Sequence, residues 1–440
     1  MEMFLMNLAT RVKNFISSNK DSLFRSVAIL AGGSALSQVL LVLASPILTR
    51  LYTPASFGIF TLYLSISQIF LTVISFRYEL AISLPKEDEN GGRILLLAIF
   101  LVVFNAILIG LAIYFWSDFA SAHFNLVELR PYLWVLPLAL IGAGFYQALS
   151  YWAIRKKAYG IIARTSFVKT LTTVLTQIIA GLFGWLPLGL LLGDFLGRLV
   201  GSGSLGRLAF DDNRHTLRET TPSKMFEQAH LYRNFALLST PATLIDRLAL
   251  YLPAILLAYY FTPQVVGWFG LGQQVIGVPI SFIGQAVSQV FMGETSVYLR
   301  ESPEKLKGLY LKFARNLFLF GFLPILALAV VAPWLIGLLF GQDWSIAGQY
   351  IQLLTPMYLT QIAVSPLSQT LNLLGRQSWQ LVWEVAQLLL EVVCMYFAWR
   401  QQWGPPGVIA AFSFASFVAY IGLYLMSIYF LSQPAKSVST

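Results

Sequence analysis

Residues 239–296 read STPATLIDRLALYLPAILLAYYFTPQVVGWFGLGQQVIGVPISFIGQAVSQVFMGETS, and this stretch decides the fold. Two apolar runs flank a short turn at Phe261-Thr262-Pro263, and each is long enough to cross a bilayer, which takes about 20 residues. Asp246 and Arg247 sit side by side within the first run. A charge at that depth costs at least ~2.5 kcal/mol, so it faces a partner or a water-filled cavity. Two readings fit. Either the two residues form a self-satisfied ion pair between packed helices, or Arg247, with Asp246 beside it, lines a polar cavity and meets an anionic cargo.

The rest of the chain has the same character. Of its 440 residues 57% are hydrophobic and 11% charged, and the mean hydropathy is +0.70. Soluble domains carry about 25% charged residues, so this chain is built for lipid. Apolar spans are expected at 26–48, 58–82, 94–115, 132–153, 165–184, 187–209, 236–258, 265–291, 314–340, 350–374, 381–400 and 408–430. The expected fold is an all-α integral membrane protein of about twelve transmembrane helices.

Orientation follows from the basic residues. Most of the 29 Lys and Arg fall in one set of loops, including Arg155, Lys156 and Lys157 and, further on, Lys305, Lys307 and Lys312. The opposite loops hold Arg50, Arg130 and Arg400. Both termini are therefore expected to be cytoplasmic, with residues 1–25 a basic leader ahead of an uncleaved first span and 431–440 a short tail. The net charge of +9 reflects this bias and not a nucleic-acid surface.

A polar connection, 210–235, divides the chain into two sets of six spans, 26–209 and 236–430. A repeat supports the division: Tyr52–Leu62 matches Phe261–Leu271 at a constant offset, with Thr53-Pro54 and Gly58 corresponding to Thr262-Pro263 and Gly267. Six spans per half is an even number, so both halves insert the same way up, as two pseudo-symmetric bundles.

Polar residues within the spans recur at helical spacing. The second span has Thr61, Ser65, Gln68, Thr72, Ser75 and Glu79; the eighth has Gln274, Ser281, Gln285 and Ser288. The first has Ser34, Gln38 and Ser45, and the eleventh Gln380, Glu384, Gln387 and Glu391. Helix–helix hydrogen bonding accounts for any one stripe. Stripes on pseudo-equivalent helices favour a central hydrophilic cavity lined by Gln38, Gln68, Gln274 and Gln285, with Arg77 at its cytoplasmic mouth. Glu384, Glu391 and Asp194 are the carboxylates placed to bind a proton or Na⁺; for Asp194, pairing with Arg198 one turn on is the competing reading. Lys169 reads as lying near the start of its helix.

Enzymatic signatures are missing from the sequence. It has no Walker A motif and no dinucleotide fingerprint. His123, His215 and His230 are scattered, and Cys394, the only cysteine, has no ligand-like neighbours. No cofactor is expected beyond a coupling H⁺ or Na⁺.

SPILTRLYTPASFGIFTLYLSI (45–66), FRYELAISLPKED (76–88), the stretch from Tyr232 to Phe291, LLFGQDWSIAGQYIQLLTPMYL (338–359) and LNLLGRQSWQLVWEVAQLLLE (371–391) together resemble the polysaccharide-export, Wzx-type flippases. That family belongs to the multidrug/oligosaccharidyl-lipid/polysaccharide (MOP) exporter superfamily, which also holds the MATE transporters. The resemblance implies two six-helix lobes around a cavity formed by the first, second, seventh and eighth helices. It also implies a bacterial inner-membrane protein, not an enzyme, that moves undecaprenyl-pyrophosphate-linked glycans (O-antigen, capsule or exopolysaccharide units) to the periplasmic leaflet. Membrane lipids, a polysaccharide polymerase and a chain-length regulator are the implied partners. Related sequences often carry Arg where this chain has Gln274, which shifts the pyrophosphate contact toward Arg247 or Arg77. A lipid II flippase, a MATE-like drug exporter and a membrane-embedded component of a polysaccharide polymerase are the alternatives.

Overall fold

The computed structural model describes residues 23–123 and 127–433. Most of the expected leader and tail lies outside them. Among the described residues twelve helices reach 20 residues or more: α1 (Leu23–Leu51), α2 (Pro54–Val73), α3 (Asp88–His123), α4 (Val135–Arg155), α5 (Tyr159–Leu182), α6 (Leu188–Glu219), α7 (Thr240–Tyr260), α8 (Pro263–Glu301), α9 (Leu306–Phe340), α10 (Ser345–Val364), α11 (Gln377–Arg400) and α12 (Gly404–Leu431). Each overlaps one expected span. Ten helices are long and apolar enough to cross a membrane. The two that fall short are α5, which carries Arg164, Lys169 and several threonines, and α10, which carries three glutamines.

No strand occurs among the described residues, as a bilayer requires of an unclosed fold. Large apolar side chains lie on the outside, among them Leu182, Phe183, Val330 and Trp334. In water these would be a liability, but in lipid they face a solvent of their own kind.

The chain forms two compact units. The first holds the described residues through Ser45, together with Phe70–Phe115 and Tyr132–Thr240; the second holds Pro46–Ile69, Trp116–Pro131 and residues from Pro241 onward. The end of α1 and most of α2 therefore pack with the C-terminal helices. In the first unit α6 packs along both α5 and α4. Its core includes Ile82, Ile94, Ala98, Leu149, Leu205 and Trp152, whose Nε1 donates to Asp212 at 3.1 Å. In the second, α10 lies against α8, α9 and α12, and α11 runs beside α12.

Two expected spans are broken. The 58–82 span does not run through as one helix. Phe76 (φ 48°) and Arg77 (φ 61°) adopt left-handed backbone, so α2 stops at Val73 and a single turn restarts at Tyr78–Ala81. The stripe from Thr61 to Glu79 therefore leaves the helix before its last two members. The 350–374 span stops at Val364 and breaks into short turns around Pro366, whose ring cannot continue the ladder. The connection 210–235 is largely helical: α6 runs on to Glu219, and Pro222–Leu231 forms its own helix, capped by Thr221 accepting from the Lys224 amide.

The repeat has a structural counterpart inside the second unit. Pro54 and Pro263 open α2 and α8, where a missing N–H costs nothing. Gly58 and Gly267 follow one turn in. A Cβ on Gly58 would overlap the Pro263 carbonyl, and one on Gly267 would overlap the Pro54 carbonyl. The matched positions thus meet reciprocally, backbone against backbone.

At one end of the first unit, Arg155 at the close of α4 binds the loop that follows Ala81. Its Nη1 donates to the carbonyls of Ile82 (3.1 Å) and Pro85 (2.7 Å), and its Nε to Asp88 Oδ1 (3.0 Å). Lys cannot span this fork. Arg155→Lys is expected to lower stability by about 1–2 kcal/mol, seen as a lower apparent Tm of the detergent-purified protein; an unchanged Tm would show the fork to be incidental.

Candidate functional site

Three polar clusters organise the charges inside the helices. The first is centred on Glu79, in the first unit. It is 1% exposed, and its Oε1 accepts from Gln147 Nε2 at 2.7 Å while Ser75 Oγ donates to Oε2. Arg77 Nη1 lies 3.5 Å from the same carboxylate, and Arg77 Nε is buried with no partner. The left-handed turn at Phe76-Arg77 is what lets the two side chains meet, because residues i and i+2 of a continuous helix diverge. Glu79 is thus buried and paired.

The second cluster is in α11 and α12. Gln380 Nε2 donates to Glu384 Oε1 at 3.1 Å, and Gln387 Nε2 to Glu391 Oε1 at 2.9 Å, so the expected stripe is knit by bonds one turn apart. Glu391 is 2% exposed; Ser416 Oγ on α12 donates to the same Oε1 at 2.7 Å, and Oε2 has no partner. Glu384 is half-buried. The third is in α5 and α6, where Arg198 Nε donates to Asp194 Oδ1 at 2.8 Å, with both side chains mostly buried. Asp194 is therefore an ion-paired carboxylate, as its spacing from Arg198 suggests.

Arg247 Nε lies 3.9 Å from Asp246 Oδ2, and the two side chains are 40% and 60% exposed. This is a loose, exposed pair on α7. Gln38, Gln68 and Gln274 are half-buried, and Gln285 is exposed. Gln38 belongs to the first unit and Gln68, Gln274 and Gln285 to the second. Ser45 and Ser281, expected in polar stripes, donate to their own helix carbonyls, at Leu41 and Val278.

Sequence reading passed over Gln147 and Ser416, the partners of Glu79 and Glu391. A lone amide or hydroxyl in an apolar helix gives no sign of its target until the helices are packed. Among the described residues no group of three His, Cys, Asp or Glu could hold a metal ion.

An all-helical chain with ten helices long and apolar enough to cross a membrane is a multi-pass membrane protein. Residues 47–348 match the family model described as polysaccharide biosynthesis protein, and the chain belongs to that family. No curated protein sequence matches the chain. Among solved structures, the chain is similar to an inward-facing multidrug resistance MATE family transporter of the MOP superfamily (16% identity, 92% of this chain and 96% of that chain, TM-score 0.66). It is also similar to the lipid II flippase MurJ in an inward closed conformation (12% identity, 90% and 87%, TM-score 0.72). A point mutant of the Vibrio cholerae MATE transporter VcmN aligns with a TM-score of 0.52 at 13% identity over 92% and 95%. At these identities the likeness establishes the fold alone, one shared with these transporters.

Proposed function

We propose that this protein is a flippase that carries undecaprenyl-pyrophosphate-linked oligosaccharide units, destined for O-antigen, capsule or exopolysaccharide, from the cytoplasmic to the periplasmic leaflet of the bacterial inner membrane. One conjunction carries the reading: membership of a polysaccharide-biosynthesis family in a chain folded as a MOP exporter. The glycan is too polar to cross lipid unaided, and a polysaccharide pathway needs a membrane protein to move it.

The residues supply suitable chemistry. Arg247 and Arg77 are the cations for the pyrophosphate, with Asp246 tempering the first. Amide side chains at Gln38, Gln68, Gln274 and Gln285 match sugar hydroxyls, while the prenyl tail stays in lipid. Alternating access is driven by an ion gradient, with Glu391 and Glu384 as the coupling carboxyls and Asp194 secondary because Arg198 already pairs it. Polymerase and chain-length regulator would receive the product.

The direct test is translocation of a lipid-linked oligosaccharide in proteoliposomes holding only this chain. Failure to move it, with lipid II moved instead, would replace the cargo; formation of new glycosidic bonds would replace the transporter reading. Within that assay Arg247→Ala is expected to reduce initial rates about tenfold, the worth of one charge-assisted contact. Arg247→Lys should retain part of the rate, because charge persists while the planar fork is lost. Full activity of Arg247→Ala at normal protein level removes Arg247 from the mechanism.

A further inference from the structure

The most unusual charge in the first unit is one that sequence reading placed near a helix start. Lys169 lies about ten residues along α5, roughly 15 Å from its beginning at 1.5 Å per residue. Arg198 lies at a similar distance along α6 from Leu188. In a helix that enters a hydrocarbon core of about 30 Å at its first residue, such a position lies near mid-membrane. A lysine that deep cannot reach an interface by stretching.

Glycines put it there. Gly193, Gly197 and Gly201 form one ridge of α6, and α5 lies so close that a Cβ on Gly197 would come within 2.7 Å of the Lys169 carbonyl and one on Gly193 within 2.9 Å of the Thr173 carbonyl. A Cβ on Gly201 would sit 3.0 Å from Lys169 Cβ and 3.2 Å from the Tyr146 ring. Small residues at four-residue spacing allow this approach. The lysine stem is wedged there, and its ammonium is held over the Tyr146 ring, 4.7 Å from the centroid.

Among the described residues, Lys169 and its charged neighbours carry two positive charges and one negative. Asp194 and Arg198 are the charged neighbours of Lys169, and they already bond to each other at 2.8 Å. Among the described residues Lys169 forms no ion pair of its own. Among these described groups, two cations face one carboxylate. The surroundings are hydroxyl-rich: Thr165, Ser166 and Ser150 lie around the Tyr146 phenol, and Ser166 exchanges a 3.2 Å hydrogen bond with Ser37. Lys169 remains half-buried, recessed but reachable.

We propose that Lys169, beside the Asp194–Arg198 pair, is an oxyanion-binding subsite of the first helical unit that receives a phosphate or carboxylate of the transported head group. The inference rests on the flippase reading for its cargo but not for its chemistry. An oxyanion beside Lys169 neutralises the surplus charge. The two sources, the lipid pyrophosphate and an acidic sugar, share this chemistry.

The full chain in nanodiscs is titrated with inorganic pyrophosphate and, separately, with glucuronate, with Lys169→Gln and Lys169→Arg in parallel. Wild type is expected to bind at least one of them. Lys169→Gln should bind it about tenfold more weakly, with Lys169→Arg close to wild type. The probe that loses affinity identifies the source. The proposal is overturned if monodisperse Lys169→Gln binds both probes as tightly as wild type, or if wild type binds neither. Should Lys169→Gln fail to fold, Lys169→Arg decides: loss of binding in a charge-retaining, well-folded variant contradicts a site defined by charge. The same preparations are assayed for lipid-linked glycan translocation. Wild type that moves no glycan yet binds oxyanions through Lys169 removes the flippase reading and leaves the subsite. Unchanged oxyanion binding with active transport does the reverse.

Discussion

Gly58→Ala is expected to lower the stability of the purified protein by about 3 kcal/mol or more, the upper end of what forced overpacking costs. The added methyl would overlap the Pro263 carbonyl, and its second contact, the Pro263 Cα at 3.0 Å, is backbone as well. No side chain is available to swing away, so α2 and α8 have to separate. That separation also strains the neighbouring contacts of the second unit, where Trp344 Nε1 donates to the Thr49 carbonyl at 3.0 Å and the Phe57 and Trp344 rings meet edge to face at 5.0 Å. Gly267→Ala meets the Pro54 carbonyl in the mirror position and should cost as much. Because both substitutions force open one gap, the double variant is expected to cost less than the two added together. Gly308→Ala, with nothing within 4 Å of its Cβ, is the control and should be close to neutral. Apparent Tm of the detergent-purified proteins reads all four. A wild-type Tm for Gly58→Ala would mean that the two helix starts do not meet as described.

Glu391→Gln is expected to leave the fold intact and abolish the response to an ion gradient. The carboxyl is buried between α11 and α12, its Oε1 takes both available donors, and Oε2 has none. An ionised oxygen left unpaired in such a place is costly, and a bound proton or Na⁺ removes the cost. Glutamine keeps an acceptor for Gln387 and Ser416 but can carry neither ion. One elementary charge moved through about 100 mV is worth ~2.3 kcal/mol, roughly a fiftyfold bias in accumulation. In proteoliposomes that bias should vanish in Glu391→Gln, while equilibration without a gradient persists. A gradient response equal to wild type would release Glu391 from coupling and leave Glu384, half-buried and bonded by Gln380, as the carboxyl to test next.

Much of this molecule is legible in its residue order, because lipid imposes one-dimensional rules. A span needs a fixed length of apolar residues, and every backbone group has to be satisfied within its own helix. Helix number, type and approximate bounds follow from those demands. The Gln380–Glu391 stripe is readable too, since residues four apart on one helix meet wherever that helix lies. The Asp194–Arg198 pair is local for the same reason.

The interruptions are less accessible. FRYEL contains neither glycine nor proline, so nothing local announces that Phe76 and Arg77 turn left-handed; the compensation comes from Gln147 on α4 and from the packing of Tyr78, both remote in sequence. Lys169 reads as shallow in the sequence because its depth depends on where α5 begins, at Tyr159 rather than six residues later. The Gly193–Gly197–Gly201 ridge is visible as spacing, but which helix lies against it is not.

By itself the sequence determined an all-helical membrane protein and its hairpin repeat, since each follows from local composition and from the length needed to cross lipid. Only the tertiary structure decided that Gly58 and Gly267 face each other's prolines, that Glu79 and Glu391 are buried against Gln147 and Ser416, and that Lys169 rests on Tyr146 beside Arg198. Those are contacts between distant segments, fixed by how closely two backbones can approach and by which buried oxygen finds a donor.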